Sequence, residues 1–394
     1  MRRLQVSSRA AQRAAAGHPW IYANEIRATL SDLVPGELVA LQGKAGSPIG
    51  IGYANPHSLI AVRILAGEGE TIDADFFAKK LAIADALRRR VRPGARAYRL
   101  CYGEGDDLPG LVVDRYDDVY VVASHTAGID GLLHHVIAAL VRDFDPRGIL
   151  VKSDSSDRKL EGLTPRIEVV HGEMPAELEV EIEGARFVLD LAHGQKTGFF
   201  FDQADNRTWL AAHAAGARVL DAFSYVGAWG IRSALAGAKR VVCVDSSADA
   251  VRLGEQSAAA SGVGDRVRFE RADAFDDLAA RVEREERFDI VVLDPPAFVK
   301  SRRKLDEGMR GYRSINRLGM TLVAPGGLLA TSSCSRHVDP AAFVGMLQAA
   351  ADDAKRPARI LAIGRQAPDH PVPLKLPEAG YLDCIFLELG PCSK

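Results

Sequence analysis

Four aspartates in this 394-residue chain stand at or just after a run of apolar residues: Asp221, Asp245, Asp273 and Asp294. A carboxylate at a strand end is a hydrogen-bond acceptor aimed at whatever lies beyond the sheet, and four in register describe a binding edge rather than four unrelated loop caps. Asp221 opens the string Asp221-Ala222-Phe223-Ser224-Tyr225-Val226-Gly227, in which Gly227 lets the backbone approach a ligand. Asp245, eighteen residues after Gly227, is placed to accept both hydroxyls of a ribose, and Asp273-Ala274 to meet an adenine amine. The string is not GxGxxG, which counts against a dinucleotide site. Asp294 leads into Pro295-Pro296-Ala297-Phe298, and Cys334 lies in Ser333-Cys334-Ser335 after a further apolar run. A thiol at the same edge as those carboxylates is a candidate nucleophile.

The elements that must carry these residues are legible as rhythm. After Gly184, continuous apolar runs at Arg218–Phe223, Arg240–Asp245, Val267–Glu270, Phe288–Asp294 and Gly327–Ser332 alternate with helical stretches such as Gly230–Ala236 and Ala248–Ala260. Alternating strand and helix predict a doubly wound parallel sheet with ligands outside the carboxyl ends of its strands. Upstream, short strands between turn signals (Glu37–Leu41, Ile49–Ala54, Leu59–Leu65) predict a small bent β unit. A middle α/β region follows, with helices over Phe76–Val91 and Ile129–Phe144 and strands at Tyr98–Tyr102, Leu111–Asp114, Val119–Ser124 and Gly148–Lys152. The expected domains are residues 1–70, 71–183 and 184–394, in keeping with two or three domains for this length.

Composition narrows the classes. At 47% hydrophobic and 26% charged, with net charge −2, the chain is globular, and no apolar run reaches the roughly 18 residues of a membrane span. Five scattered cysteines without CxxC (Cys101, Cys243, Cys334, Cys384 and Cys392) indicate neither a disulfide framework nor a metal site, and a reducing cytoplasm is the expected location. Cys101, Cys243 and Cys384 read as small core residues. Charge is uneven. Residues 1–30 hold five arginines against Glu25, a pattern that also mimics a transit peptide, and residues 300–317 hold seven basic residues against two acidic ones. Either segment reads as a solvated face or as phosphate contacts.

Asp245, Gly227, Asp273 and Asp294-Pro295-Pro296 together resemble the class I S-adenosylmethionine-dependent methyltransferases. Matches along most of the chain resemble more narrowly the RlmI-like bacterial 23S rRNA cytosine-C5 methyltransferases. They are His18-Pro19-Trp20, Lys196-Thr197-Gly198-Phe199-Phe200 with Asp202-Gln203, Phe223-Ser224-Tyr225, Asp294-Pro295-Pro296, Ser333-Cys334-Ser335 and Asp369-His370-Pro371. The resemblance implies an N-terminal PUA pseudo-barrel that binds RNA, a middle α/β domain and a C-terminal Rossmann-like domain with a seven-stranded sheet. It implies S-adenosylmethionine as cofactor, with S-adenosylhomocysteine as product, held by Lys196, Thr197, Phe199, Gln203, Arg207, Asp221, Phe223, Ser224, Tyr225, Gly227, Asp245, Ser246, Asp273, Ala274, Asp294 and Pro295. Cys334 would add to carbon 6 of the base, with Asp294 at nitrogen 3.

Trp20, Lys300, Arg302, Arg303, Arg310 and Arg313 would meet RNA, expected to be 23S rRNA or a large-subunit assembly intermediate, with a homodimer left open. Many members of the wider class carry a second Cys after Pro-Pro. Here Ala297 stands in its place, which leaves no assigned base for the carbon-5 proton. His370 reads equally as a base or as a structural loop residue. Three alternatives stay open at this point. A methyltransferase acting on a base amino group would need no thiol. A nicotinamide oxidoreductase would want GxGxxG. A non-catalytic RNA-binding protein would use only the basic segments.

Overall fold

The computed structural model of the chain describes residues 1–27 and 29–391, so Cys392 lies outside the described residues. Two compact units divide it. The first comprises Met1–Ala176 with the segments Leu191–Phe199 and Pro368–Ala379; the second comprises Glu177–Asp190, Phe200–Ala367 and the chain from Gly380 onward.

In the first unit, five strands lie in the order Arg2–Gln5, Leu38–Gln42, Pro48–Ala54, Ile60–Ala66, Trp20–Tyr22. The three expected strands fall within one or two residues of their observed bounds. The Arg-rich lead, legible in the sequence only as charge, is a strand and a helix. Arg2–Gln5 pairs in parallel with Leu38–Gln42, and Ser7 caps helix Ser8–Ala15 by accepting the Ala10 N–H at 3.2 Å. Part of its charge is neutralised internally, because Arg13 forks onto both oxygens of Glu25 at 2.6 Å.

The middle region is a second five-stranded sheet, in the order Arg166–Gly172, Gly148–Ser153, Val119–Ser124, Leu111–Tyr116, Ala97–Tyr102, with helices Ala74–Val91 and Ala127–Phe144. Ile51, Tyr53 and Leu65 of the first sheet join the core built by Phe77, Leu81, Ile129 and Val136. Tyr53 donates its hydroxyl to the Pro109 carbonyl at 2.7 Å, and buried Glu161 accepts from Asn55 at 2.7 Å while pairing with Arg63 at 3.0 Å. Around residue 70 the chain changes sheet without any break in the core.

The second unit opens with a hairpin, Leu178–Ile182 and Ala185–Leu189, whose alternating burial is that of a sheet with one dry face. Its main sheet has seven strands: β1 (Arg218–Ala222), β2 (Arg240–Asp245), β3 (Val267–Arg271), β4 (Phe288–Leu293), β5 (Val323–Ser333), β6 (Ala358–Gly364) and β7 (Asp383–Leu389). Their order is β3-β2-β1-β4-β5-β7-β6, with β7 alone antiparallel to its neighbours. The central strands are Val- and Ile-rich because both faces are covered, by α1 (Ala228–Leu235), α2 (Ala248–Ala260), α3 (Ala274–Glu283), α4 (Leu305–Leu322) and α5 (Pro340–Asp353). Strand order reverses between β1 and β4, so their carboxyl ends flank the crevice where such sheets bind ligands. Asp221 and Asp294 sit at those two ends.

Candidate active site

The loop after β1 is held in a conformation that few sequences adopt. Phe223 (φ 61°) and Tyr225 (φ 49°) both lie in the left-handed region, and Gly227 follows at φ 78°. A Cβ on Gly227 would meet the Phe269 ring at 2.5 Å, so glycine is demanded by space as well as by dihedral. Asp221 is fully buried; its Oδ2 accepts the Gly230 N–H at 3.0 Å, while its Oδ1 has no partner among the described residues. Burial away from water pushes this carboxyl up to about 8. The buried Ser224 Oγ is likewise without a partner among the described residues. Two orphaned polar atoms at one strand end are what a polar ligand would satisfy.

Asp245 ends β2 and accepts the Tyr225 N–H and the Ser247 N–H, both at 2.9 Å, which braces the β1 loop and leaves each oxygen a second lone pair. Ser246 beside it is exposed. Asp273 caps α3, its Oδ1 accepting from Phe275 at 2.8 Å and Asp276 at 3.2 Å, with Ala274 buried behind it. Asp294 receives two donors: Gln203 Nε2 at 2.9 Å on Oδ1 and Trp229 Nε1 at 3.0 Å on Oδ2. Gln203 Nε2 also reaches Ser332 Oγ at 3.0 Å, and Gln203 Oε1 is fixed by Asn206 at 2.6 Å. Burial raises the Asp294 carboxyl above its ordinary value, while the Trp229 and Gln203 donors and the Arg207 charge oppose that rise. Pro295 is buried next to it.

Cys334 directly follows β5, which pairs with β4 in the register Leu293↔Thr331, so the thiol segment and Asp294 emerge side by side. It is partly exposed, whereas Cys101, Cys243 and Cys384 are buried and burial pushes all three thiols up. Among the described cysteines, Cys334 alone is accessible enough to act as a nucleophile.

Not every expected residue lies in this unit. Lys196, Thr197 and Phe199 belong to the first unit, where the Thr197 hydroxyl donates to the Asp114 carboxylate and the Thr197 carbonyl accepts from Tyr116 at 3.1 Å. Trp20 is also in the first unit, its indole N–H donated to Glu104 at 2.9 Å. Arg207 is buried against Glu183 and donates to the Phe200 carbonyl at 2.9 Å. Lys300, Arg302, Arg303 and Arg310 are exposed, while Arg313 pairs with Asp353 of α5 at 2.6 Å. His370 is buried in the first unit, 3.0 Å from Asp369 and against the Tyr102 ring. Sequence reasoning missed Trp229, Ser332 and Asn206. Trp229 alone carried a signal, since a buried indole N–H needs an acceptor and this one follows Gly227 by two residues.

Residues 164–366 match a family described as S-adenosylmethionine-dependent methyltransferase, and residues 4–66 match a PUA-like domain. A SAM-dependent methyltransferase from Streptococcus mutans shares the fold at TM-score 0.83 and 21% identity, with 98% of this chain and 100% of that one covered. Another solved methyltransferase, complexed with SAH, superposes at TM-score 0.85 and 20% identity over 98% of this chain and all of its own. Sheet order, strand-end acids and the β1 loop thus define a class I S-adenosylmethionine-dependent methyltransferase. The Ribosomal RNA large subunit methyltransferase I of Aeromonas salmonicida (strain A449) is 38% identical over 370 residues, 93% of each chain, and that of Vibrio cholerae serotype O1 (strain ATCC 39541) is 36% identical over 93% of this chain and 94% of its own. The chain belongs to the ribosomal RNA large subunit methyltransferase I family.

The residues present fit the cofactor. Ser224 Oγ and Asp221 Oδ1 are buried polar atoms without partners among the described residues, and both Asp245 oxygens keep a spare lone pair, so this strand edge has unspent polar capacity that a polar nucleoside cofactor would satisfy. Among the described residues there is no cluster of three or more His, Cys, Asp or Glu that could hold a metal ion, and no helix is long and apolar enough to cross a membrane.

Proposed function

We propose that this protein transfers a methyl group to carbon 5 of a cytosine in RNA, with 23S rRNA or a large-subunit assembly intermediate as substrate, through a covalent Cys334 adduct. The observation that carries this reading is the one accessible thiol among the described cysteines, at the end of β5 beside Asp294. The rRNA substrate is supported by the names of the relatives and by the PUA-like match at residues 4–66. S-adenosylmethionine supplies an electrophilic methyl group.

Carbon 5 of cytosine is too weakly nucleophilic to take that methyl unaided. The Cys334 thiolate adds to carbon 6, forming a carbon–sulfur bond and moving the ring's electron pair onto carbon 5 as an enamine. Asp294, raised by burial and steadied by Gln203 and Trp229, holds nitrogen 3, where a protonated carboxyl can donate as the ring gains electrons. After transfer a base removes the carbon-5 proton, the carbon–sulfur bond breaks, and sulfur leaves with its electron pair. Asp221, Ser224, Gly227 and Asp245 bind and orient the cofactor, with Phe223, Tyr225, Ser246, Asp273, Ala274 and Pro295 lining its place. Gln203 acts through Asp294, and Lys300, Arg302, Arg303 and Arg310 grip phosphates around the extruded base.

Bisulfite sequencing of rRNA from cells with and without the gene tests this directly. One cytosine protected only when the gene is present is expected. Loss of a methyl group elsewhere on a base, with no change in protected cytosines, would replace this reading by amino-group methylation.

A further inference from the structure

Cys334 is flanked by two serines, and both point the same way. The Ser333 hydroxyl donates to the Tyr312 hydroxyl at 3.2 Å, and the Ser335 hydroxyl lies 2.9 Å from the same oxygen. Ser335 Oγ also accepts the Val299 N–H at 3.2 Å, and the Ser335 N–H reaches Ser333 Oγ at 3.3 Å. Tyr312 and both serines are buried. One phenol on α4 therefore gathers the backbone on each side of Cys334, while Ser335 ties it to the loop that carries Asp294 five residues before Val299. Gly308, one helical turn earlier on the same face, brings α4 against that loop: a Cβ there would meet Val299 Cγ2 at 2.4 Å and the Phe298 carbonyl carbon at 2.9 Å. The Phe298 ring packs on Tyr312 with centroids 4.7 Å apart.

We infer that Tyr312 is a positioning residue: its hydroxyl, through Ser333 and Ser335, fixes the Cys334 sulfur relative to Asp294 for attack on carbon 6. This rests on the proposed role of Cys334. The phenol touches no reacting atom; it removes the freedom of a loop that would otherwise swing the thiol off line, and misplacement of about 1 Å costs roughly 100-fold in such a step. The same helix carries Arg310, so the element that meets phosphate also sets the nucleophile.

The test is the rate at which full-length protein, saturated with S-adenosylmethionine and with 5-fluorocytosine RNA, forms its covalent adduct. Tyr312→Phe, which keeps the ring on Phe298, should slow it by about 10- to 100-fold with unchanged dissociation constants for S-adenosylmethionine and RNA. Ser335→Ala should do the same, and the double variant should be little slower than the worse single one, because both cut one linkage. Adduct formation at the wild-type rate in both single variants would overturn the inference. So would a matching loss of cofactor affinity in both, which would make the cluster part of the fold and nothing more. A wild type that forms no adduct would instead remove the nucleophile role of Cys334, and this inference with it.

Discussion

Burial away from water pushes the Asp221 carboxyl up to about 8 in the protein, whereas in the unfolded chain it ionises near 4. Between those values the unfolded state has lost a proton that the native state keeps, so this residue's contribution to stability is complete below about pH 4 and drains away as pH rises toward 8. Asp221→Asn removes the titration. Urea denaturation from pH 5 to pH 8 should show the variant gaining on wild type by as much as about 1.4 kcal/mol per pH unit; a difference independent of pH would mean that Asp221 is ionised in the fold. Strand-end acids are legible in a sequence because they interrupt apolar runs, and that is how Asp221, Asp245, Asp273 and Asp294 come forward. What each oxygen does is not legible. Asp273 spends one on capping α3, Asp245 spends both on backbone N–H groups with lone pairs to spare, and Asp221 leaves one unpartnered among the described residues.

Among the elements, β1, β2 and β4 are readable because burial on both faces makes them largely apolar, whereas the edge strand β3 alternates buried Val267 and Phe269 with Arg268 and Glu270; the observed bounds of all four differ from the expected ones by a residue at most. Helix α4 is not readable in that way. Its sequence is interrupted by Gly308, Gly311 and Gly319 and loaded with arginine, so it reads as a basic run, yet its glycines are what let it pack against the Phe298–Val299 loop and Leu293. The hairpin strand Leu178–Ile182 is a different case: Glu179 and Glu181 alternate with buried Leu178, Val180 and Ile182, which is a strand signal, but it precedes the strand–helix rhythm that begins after Gly184. Placing the run on a helix sharpens its expected behaviour. Arg302 and Arg303, in the turn before α4, are exposed, whereas Arg313 is held by Asp353. Neutralising Arg302 and Arg303 together should lower the single-turnover methylation rate about tenfold even at saturating RNA, by letting the extruded base drift. Arg313→Gln should change that rate by less than about twofold, since an exposed ion pair contributes little. The reverse ranking in a single-turnover time course would place the phosphate-gripping residues elsewhere.

Across the whole molecule, the N-terminal sheet is built into its unit. Its Ile51, Tyr53 and Leu65 sit in the core of the middle region, and Asn55 and Arg63 satisfy buried Glu161. Removing residues 1–70 should therefore abolish the first unit's cooperative unfolding transition, because several buried side chains at about 2–5 kcal/mol each exceed the stability of a typical domain. A truncated chain that still melts cooperatively in calorimetry, with the full enthalpy of the remaining residues, would contradict that. The RNA contribution of this region is better probed on its surface: Arg3→Gln with Arg9→Gln, both exposed, should make the salt dependence of RNA binding shallower, the log–log slope falling by about 0.7–0.9 for each phosphate no longer neutralised. The proposed reaction turns on one bond, between the Cys334 sulfur and carbon 6 of a cytosine. Fluorine at carbon 5 cannot leave as a proton does, so 5-fluorocytosine RNA should trap that bond after methyl transfer. The decisive measurement is mass spectrometry of the peptides from full-length protein incubated with such RNA and S-adenosylmethionine. The expected result is a methylated nucleotide attached at Cys334 and its loss in Cys334→Ala; an adduct at another residue, or carbon-5 methylation that persists in Cys334→Ala, would rule out Cys334 as the nucleophile.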